Sequence, residues 1–172
     1  MTLNFKNEGD VIVLLGQSRN DIGSSEYLHK IKSVPYSSAP HFELEEEFNV
    51  QQLVTKLIQQ GNILSAHDIS EGGLIITLLE SAFTNNKGFE VTSLNTSLRK
   101  DAYWLGEAQS RVVVSCAASQ LGAIEILAAS MKVPISVIGK VTASDIRVEG
   151  ENWGNIADWK HQYDTAIESK MK

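Results

Sequence analysis

Hydrophobic positions fall in short blocks whose period switches repeatedly between strand-like and helix-like along the chain. Val11–Leu15 is a continuous apolar run rich in β-branched residues and closed by Gly16, so it reads as a buried strand. Gln17–Asp21 is polar and reads as a loop. Ser24 or Ser25 can cap a short helix carrying Tyr27, Leu28 and Ile31, because a serine oxygen accepts from the orphan N–H groups of a first turn. Pro35 and Pro40 bracket a Ser-rich loop that ends it. Asn49-x-x-Gln52 has capping-box form. Val50, Leu53, Val54, Leu57 and Ile58 then recur with helical spacing up to a stop at Gly61.

Ile63–His67 reads as a second strand, and a helix follows from Gly72 to Phe83. Asn85–Gly88 is a turn, Phe89–Val91 a short strand, and Leu98–Leu105 a short helix. Arg111–Cys116 is a third apolar strand. Ser119 caps a helix carrying Leu121, Ile124, Leu127, Ala128 and Met131, which stops before Pro134. Ile135–Val141 and Ile146–Val148 read as paired strands joined tightly at Thr142–Asp145. Asn155 caps the last helix, with Ile156, Trp159, Tyr163 and Ile167 as its buried stripe and Lys170 and Lys172 at its negative end. This order predicts an α/β layered domain: a mixed sheet, partly antiparallel, flanked by helices. No repeat or long linker divides the chain, so residues 1–172 are expected to form one domain.

Composition narrows the function. The chain has 172 residues, 15 Lys+Arg against 21 Asp+Glu, and a formal net charge of −6. It has no basic block, so neither nucleic acid nor an anionic membrane is an expected partner. One cysteine, Cys116, excludes an internal disulfide and a cysteine-based zinc site. Apolar runs are too short to span a membrane, and a soluble, cytoplasmic domain is expected.

The sharpest candidate chemistry lies in Ser65-Ala-His-Asp-Ile-Ser-Glu-Gly-Gly-Leu74, which crosses from a strand end to a helix start. Unpaired N–H groups at such a start favour an anion. His67, Asp68, Ser70, Glu71, Gly72 and Gly73 are therefore candidate phosphate- or nucleotide-facing residues. Two glycines there cost roughly 1 kcal/mol each in helix propensity, which asks for a reason. The alternative is structural: Asp68 or Ser70 caps the helix and the glycines only permit close packing. His67 has no second ligand at metal-binding spacing, so a structural role is expected for it. Glu43, Glu45, Glu46 and Glu47 read as a solvated run ahead of a helix. Glu107, Gln109 and Arg111 alternate, and an extended backbone would put them on one face as candidate cleft groups. No nucleophilic triad or dyad is present in pattern, and Cys116 reads as a buried, inert thiol.

Taken together, Val11–Gly16, Gly23-Ser-Ser-Glu-Tyr27, the Ser65–Leu74 stretch, Gly106-Glu-Ala-Gln-Ser-Arg111 and Val137-Ile-Gly-Lys-Val141 resemble the C-terminal domain of phosphoribosylformylglycinamidine synthase. The resemblance spans nearly the whole chain. It implies the C-terminal α/β half, with partial ferredoxin-like topology, of the aminoimidazole ribonucleotide synthetase superfamily. It also implies a reaction: ATP activates the amide oxygen of formylglycinamide ribonucleotide, and ammonia from glutamine displaces phosphate. In the family, the catalytic histidine and the magnesium carboxylates lie in upstream barrel domains, and no position here matches them. ATP and magnesium are thus implied for the full-length enzyme, none tightly bound to this chain, with a glutaminase domain or subunit as a further partner. In the first C-terminal half of such synthases a Glu-Ser-Gln stretch contacts substrate. Here Glu107-Ala-Gln109 stands in that place, with Ser24 and Ser25 as further cleft candidates.

The resemblance implies a fragment of a longer ligase, inactive alone, and Met1–Lys6 reads as an internal stretch behind an added start codon. Three alternatives stay open: a free-standing nucleotide- or phosphate-binding module, an interaction subunit, or the C-terminal half of a sister enzyme such as aminoimidazole ribonucleotide or selenophosphate synthetase.

Overall fold

A computed structural model describes residues 1–93 and 97–171. Lys172, expected at the end of the last helix, lies outside the described residues. The strands are β1 (Val11–Leu15), β2 (Ser65–Asp68), β3 (Gly88–Val91), β4 (Val112–Cys116), β5 (Ile135–Thr142), β6 (Asp145–Val148) and β7 (Glu151–Asn155). The helices are α1 (Leu44–Gln59), α2 (Gly73–Phe83), α3 (Lys100–Leu105), α4 (Leu121–Ser130) and α5 (Ile156–Lys170). The strands form one sheet in the order β2-β4-β1-β5-β3-β6-β7. Every neighbouring pair is antiparallel except β3 with β6.

Alternation along β1 builds both faces of this sheet. Ile12 and Leu14 point into a core shared with α2, α3 and the start of α5. Val13 and Leu15 point into a second core with α1 and α4, around Leu53, Leu57 and Ile124. The result is the mixed sheet between helical layers that the hydrophobic pattern predicts. Among the described residues, no helix is long and apolar enough to cross a membrane.

Several elements differ from the sequence expectation. Helix α1 begins at Leu44, not at Asn49, so Glu45, Glu46 and Glu47 sit inside its first turn, where their carboxylates complement the dipole. The capping-box reading of Asn49 fails for that reason. The short helix is a π-helical turn, Tyr27–Ile31. Ser119 does not cap α4: a 3₁₀ turn, Ala118–Gln120, precedes the helix, and no side chain caps it. β5 and β6 are not neighbours, because β3 lies between them and pairs with both.

β7 lacks any hydrophobic alternation. It is held by pairing to β6 and by Trp153, which stacks on Trp159 at 5.8 Å and whose carbonyl accepts the Trp159 indole N–H at 2.8 Å. Asn155 caps α5 as expected, its side chain accepting from the Ala157 N–H. The stripe of α5 is buried only at its start. Ile156 is buried and Trp159 half-buried, but Tyr163 and Ile167 are exposed because the helix runs past the core.

Candidate functional site

Strand β2 ends at Asp68, and the Ile69 N–H donates to the Arg111 carbonyl at 3.0 Å. The chain then turns sharply into α2, with the Gly73 N–H on the Ser70 carbonyl at 3.0 Å. Gly72 and Gly73 both adopt left-handed backbone, φ +82° and +72°. Only glycine takes that conformation without strain. A Cβ on Gly73 would stand 2.7 Å from the Leu105 carbonyl carbon, and one on Gly72 would strike Ile76. The double glycine is thus required by the turn and by close packing of α2 on α3.

No side chain of its own turn caps α2. Glu107 does this work from across the fold. One of its oxygens, Oε1, accepts the Gly72 N–H at 2.9 Å and the Glu26 N–H at 2.8 Å. The Gly72 N–H, one of the donors the sequence suggests for an external anion, is therefore engaged by an internal carboxylate. Asp68 and Ser70, the expected caps, do not serve, and Asp68, Ser70 and Glu71 are exposed.

His67 and Asp68 are adjacent on a strand and so face opposite sides of the sheet. His67 Nδ1 lies 3.1 Å from Ser81 Oγ and 3.3 Å from the Thr77 carbonyl, and Nε2 lies 3.6 Å from Glu80. It ties β2 to α2, away from Gly72, in the structural role expected of it. Asp68 borders a cleft on the other face.

Gln109 and Arg111 line one cleft, but Glu107 leaves their face. Ser110 takes a left-handed φ of +61°, which breaks the extended run and its alternation. Glu107 turns to Gly72, and Gln109 is exposed. Arg111 is buried: its Nη2 donates to the Gly106 carbonyl at 2.6 Å and its Nε to the Ala108 carbonyl at 3.2 Å. Burial pushes its pKa down to about 10, against the pull of Tyr103 and Asp21. Arg111 thereby staples the loop that aims Glu107. Burial also pushes Tyr103 up to about 12 and the Cys116 thiol up to about 11.

Ser25 is buried; its Oγ donates to the Ile22 carbonyl at 2.8 Å and accepts the Leu28 N–H at 3.3 Å. Ser24 clasps a strap formed by residues 17–43: its N–H donates to Ser37 Oγ and its own hydroxyl to the Ser38 carbonyl. Asp21 closes the strap, accepting the N–H groups of Gly23 and His41. Glu107 pins it to α2 through Glu26.

A cleft of about 570 Å³ runs between α1 and the ends of β2 and β4. Its polar lining includes Glu47, Gln51, Asp68, Gln109, Ser110 and Arg111. Glu47 also accepts the Ser110 hydroxyl at 2.7 Å, a role hidden while its stretch read as a solvated run. Among the described residues, no group of three or more His, Cys, Asp and Glu could hold a metal ion. The structure thus joins Gly72, Gly73 and Glu107 at the start of α2, puts Asp68, Gln109 and Arg111 on the cleft, and places His67 and Ser25 apart.

The site is thus a helix start held by a carboxylate from a distant loop, set on the mixed sheet of an α/β domain. The family described as "AIR synthase related protein, C-terminal domain" matches residues 7–151, and the chain belongs to that family. The phosphoribosylformylglycinamidine synthase subunit PurL of Caldanaerobacter subterraneus is 40% identical over 148 residues, 86% of this chain and 20% of that protein. The subunit of the same name from Chlorobaculum tepidum is 36% identical over 179 residues, covering 97% of this chain and 23% of that protein. The chain thus spans about a fifth of the length of these curated relatives.

The fold is shared with the solved T. maritima PurL complexed with FGAR, with a TM-score of 0.79 at 15% identity, over 93% of this chain and 29% of that one. T. maritima PurL complexed with ATP gives 0.72 at 14% identity, over 93% and 27%. Thiamine-monophosphate kinase from Stenotrophomonas maltophilia gives 0.57 at 20% identity, over 88% and 53%.

Proposed function

We propose that this chain supplies the C-terminal α/β half of a phosphoribosylformylglycinamidine synthase, the ligase that converts formylglycinamide ribonucleotide to formylglycinamidine ribonucleotide with ATP and glutamine in purine biosynthesis. In this reading residues 1–172 act as one unit that forms a wall of a cleft. Barrel domains of the same enzyme hold ATP, magnesium and the reacting groups, and a glutaminase domain or subunit supplies ammonia in the cytoplasm. The observation that carries the reading is the 40% identity to the Caldanaerobacter subterraneus PurL subunit across 148 residues.

Among the described residues, the start of α2 does not offer a magnesium–nucleotide site of its own. The Gly72 N–H, the natural phosphate donor, is engaged by Glu107, and among the described residues no carboxylate cluster stands beside it. Gly72, Gly73, Glu107 and Ser25 are instead assigned the shape of the wall, and Asp68 and Gln109 its polar surface. A coupled ATP-hydrolysis and amidination assay on the chain alone is expected to give no turnover. Turnover would place the machinery within these residues and overturn the reading. The gene itself gives a second test. An AIR synthase-type barrel is expected in continuous frame or as a separate companion chain, and its absence from the genome counts against the proposal.

A further inference from the structure

Helix α1 has two apolar faces. Val50, Leu53 and Leu57 pack on the sheet and are buried. Leu44 and Phe48, one turn apart, point the other way and are 70% and 57% exposed. Phe42 just ahead is 51% exposed, and Tyr36 on the strap is 91% exposed. The strap is not loose, since Asp21, Ser24 and Glu107 fix it to the body. Such large side chains held out on an ordered segment mark a surface built to be covered. Aromatic residues in this setting supply the centre of protein interfaces.

Charge gives the kind of partner. Glu46 is paired with Arg19 at 2.6 Å, and Glu47 is bonded to Ser110 and Gln51. Glu43 and Glu45, flanking Leu44, make no salt bridge among the described residues and are exposed.

We infer that the outer face of α1 around Leu44 and Phe48, with Phe42 and Tyr36 of the strap, docks a protein surface that is apolar at its centre and basic at its rim. Its occupant is the barrel-bearing polypeptide of the synthase, and in that respect the inference rests on the function proposed above. The lengths agree: about four fifths of each curated relative lies outside the region this chain matches.

The test places a photoreactive benzoylphenylalanine at Phe48 in the host that makes the protein. A second variant carries it at Ile126, a more exposed position on α4 (75%). Crosslinked peptides are identified by mass spectrometry after a thermal melt has shown each variant folded. The expected result is a crosslink from position 48 into an AIR synthase-type barrel sequence, beside Lys or Arg, at least tenfold above that from position 126. Leu44→Asp is expected to reduce it tenfold. Crosslinks from position 48 to a second copy of this chain or to an unrelated protein, or equal yields at both positions, overturn the inference. Barrel crosslinks from 126 alone reject this interface but leave the proposed function standing. If neither position reaches a barrel sequence, this interface fails, while the proposed function is judged by the turnover and reading-frame tests above.

Discussion

Gly73→Ala puts the packing explanation of the double glycine at risk. The added methyl meets two penalties. Left-handed backbone at φ +72° costs a non-glycine residue roughly 1–2 kcal/mol. The new Cβ would stand 2.7 Å from the Leu105 carbonyl carbon, 2.8 Å from its Cα and 2.9 Å from the Gly106 oxygen. All three are backbone atoms, so no rotamer change relieves the clash, and overpacking of this kind costs about 1–3 kcal/mol. The lost flexibility of the unfolded chain returns about 0.4–1 kcal/mol. The net expectation is a destabilisation of about 3 kcal/mol, or roughly 6–12 °C in Tm for a chain of this size. Gly122→Ala is the control: it lies in α4 with nothing within 4 Å of its Cβ, and should gain up to about 1 kcal/mol. Urea and thermal unfolding followed by circular dichroism measure both. A Gly73→Ala protein within about 0.5 kcal/mol of the parent, with an unchanged urea slope, would refute the packing argument. The glycines would then need another explanation, such as close approach by a ligand.

Three further outcomes follow from the site. Glu107→Ala strands the Gly72 and Glu26 N–H groups and should cost about 1–2 kcal/mol, since water reaches this partly exposed site and recovers some of a charge-assisted bond. Limited proteolysis should then cut the strap between residues 31 and 39 faster than in the parent; an unchanged digestion pattern counts against Glu107 as its pin. Arg111→Met should cost about 2–3 kcal/mol by freeing the Gly106 and Ala108 carbonyls, and a melt unchanged from the parent would contradict that role. The Cys116 thiol should be inert to a disulfide reagent at pH 8 until the chain unfolds. Its folded pKa, about 11, lies above the ordinary 9.0, so the folded state keeps the proton longer. Stability from this group is complete below pH 9 and falls as pH rises towards 11. Arg111 stays charged in both states up to about pH 10, which leaves pH 9–10 as the window for reading it.

Much of the fold was legible because burial on two sheet faces writes itself into sequence period. β1, α2 and β4 follow from apolar runs or stripes with clear stops. β7 was invisible because Glu151-Asn-Trp-Gly-Asn155 has no alternation and owes its place to β6 and to one tryptophan pair. The start of α1 was missed because Leu44 and Phe48 face away from the sheet, and their acidic neighbours masked the first turn. The insertion of β3 between β5 and β6 is a long-range choice that the short Thr142–Asp145 connection cannot reveal.

The site was half legible. Gly72 and Gly73 announced a special helix start, and Gly106–Arg111 announced a special loop. That the loop's carboxylate caps the helix is a contact across 35 residues, and no local pattern encodes it. The alternation of Glu107, Gln109 and Arg111 suggested one surface; Gln109 and Arg111 do line one cleft, but Glu107 is drawn away to the Gly72 N–H.

If this chain is a wall whose Gly72 N–H is already engaged from within, the nucleotide is held elsewhere in the enzyme. An ¹⁵N-resolved titration of the chain with ATP, following the amides of Gly72 and Gly73, decides the matter. No saturable shift is expected at either glycine. A saturable shift at both, with ATP displacing Glu107 from the Gly72 N–H, would contradict the internal cap and establish the chain as a nucleotide-binding module in its own right.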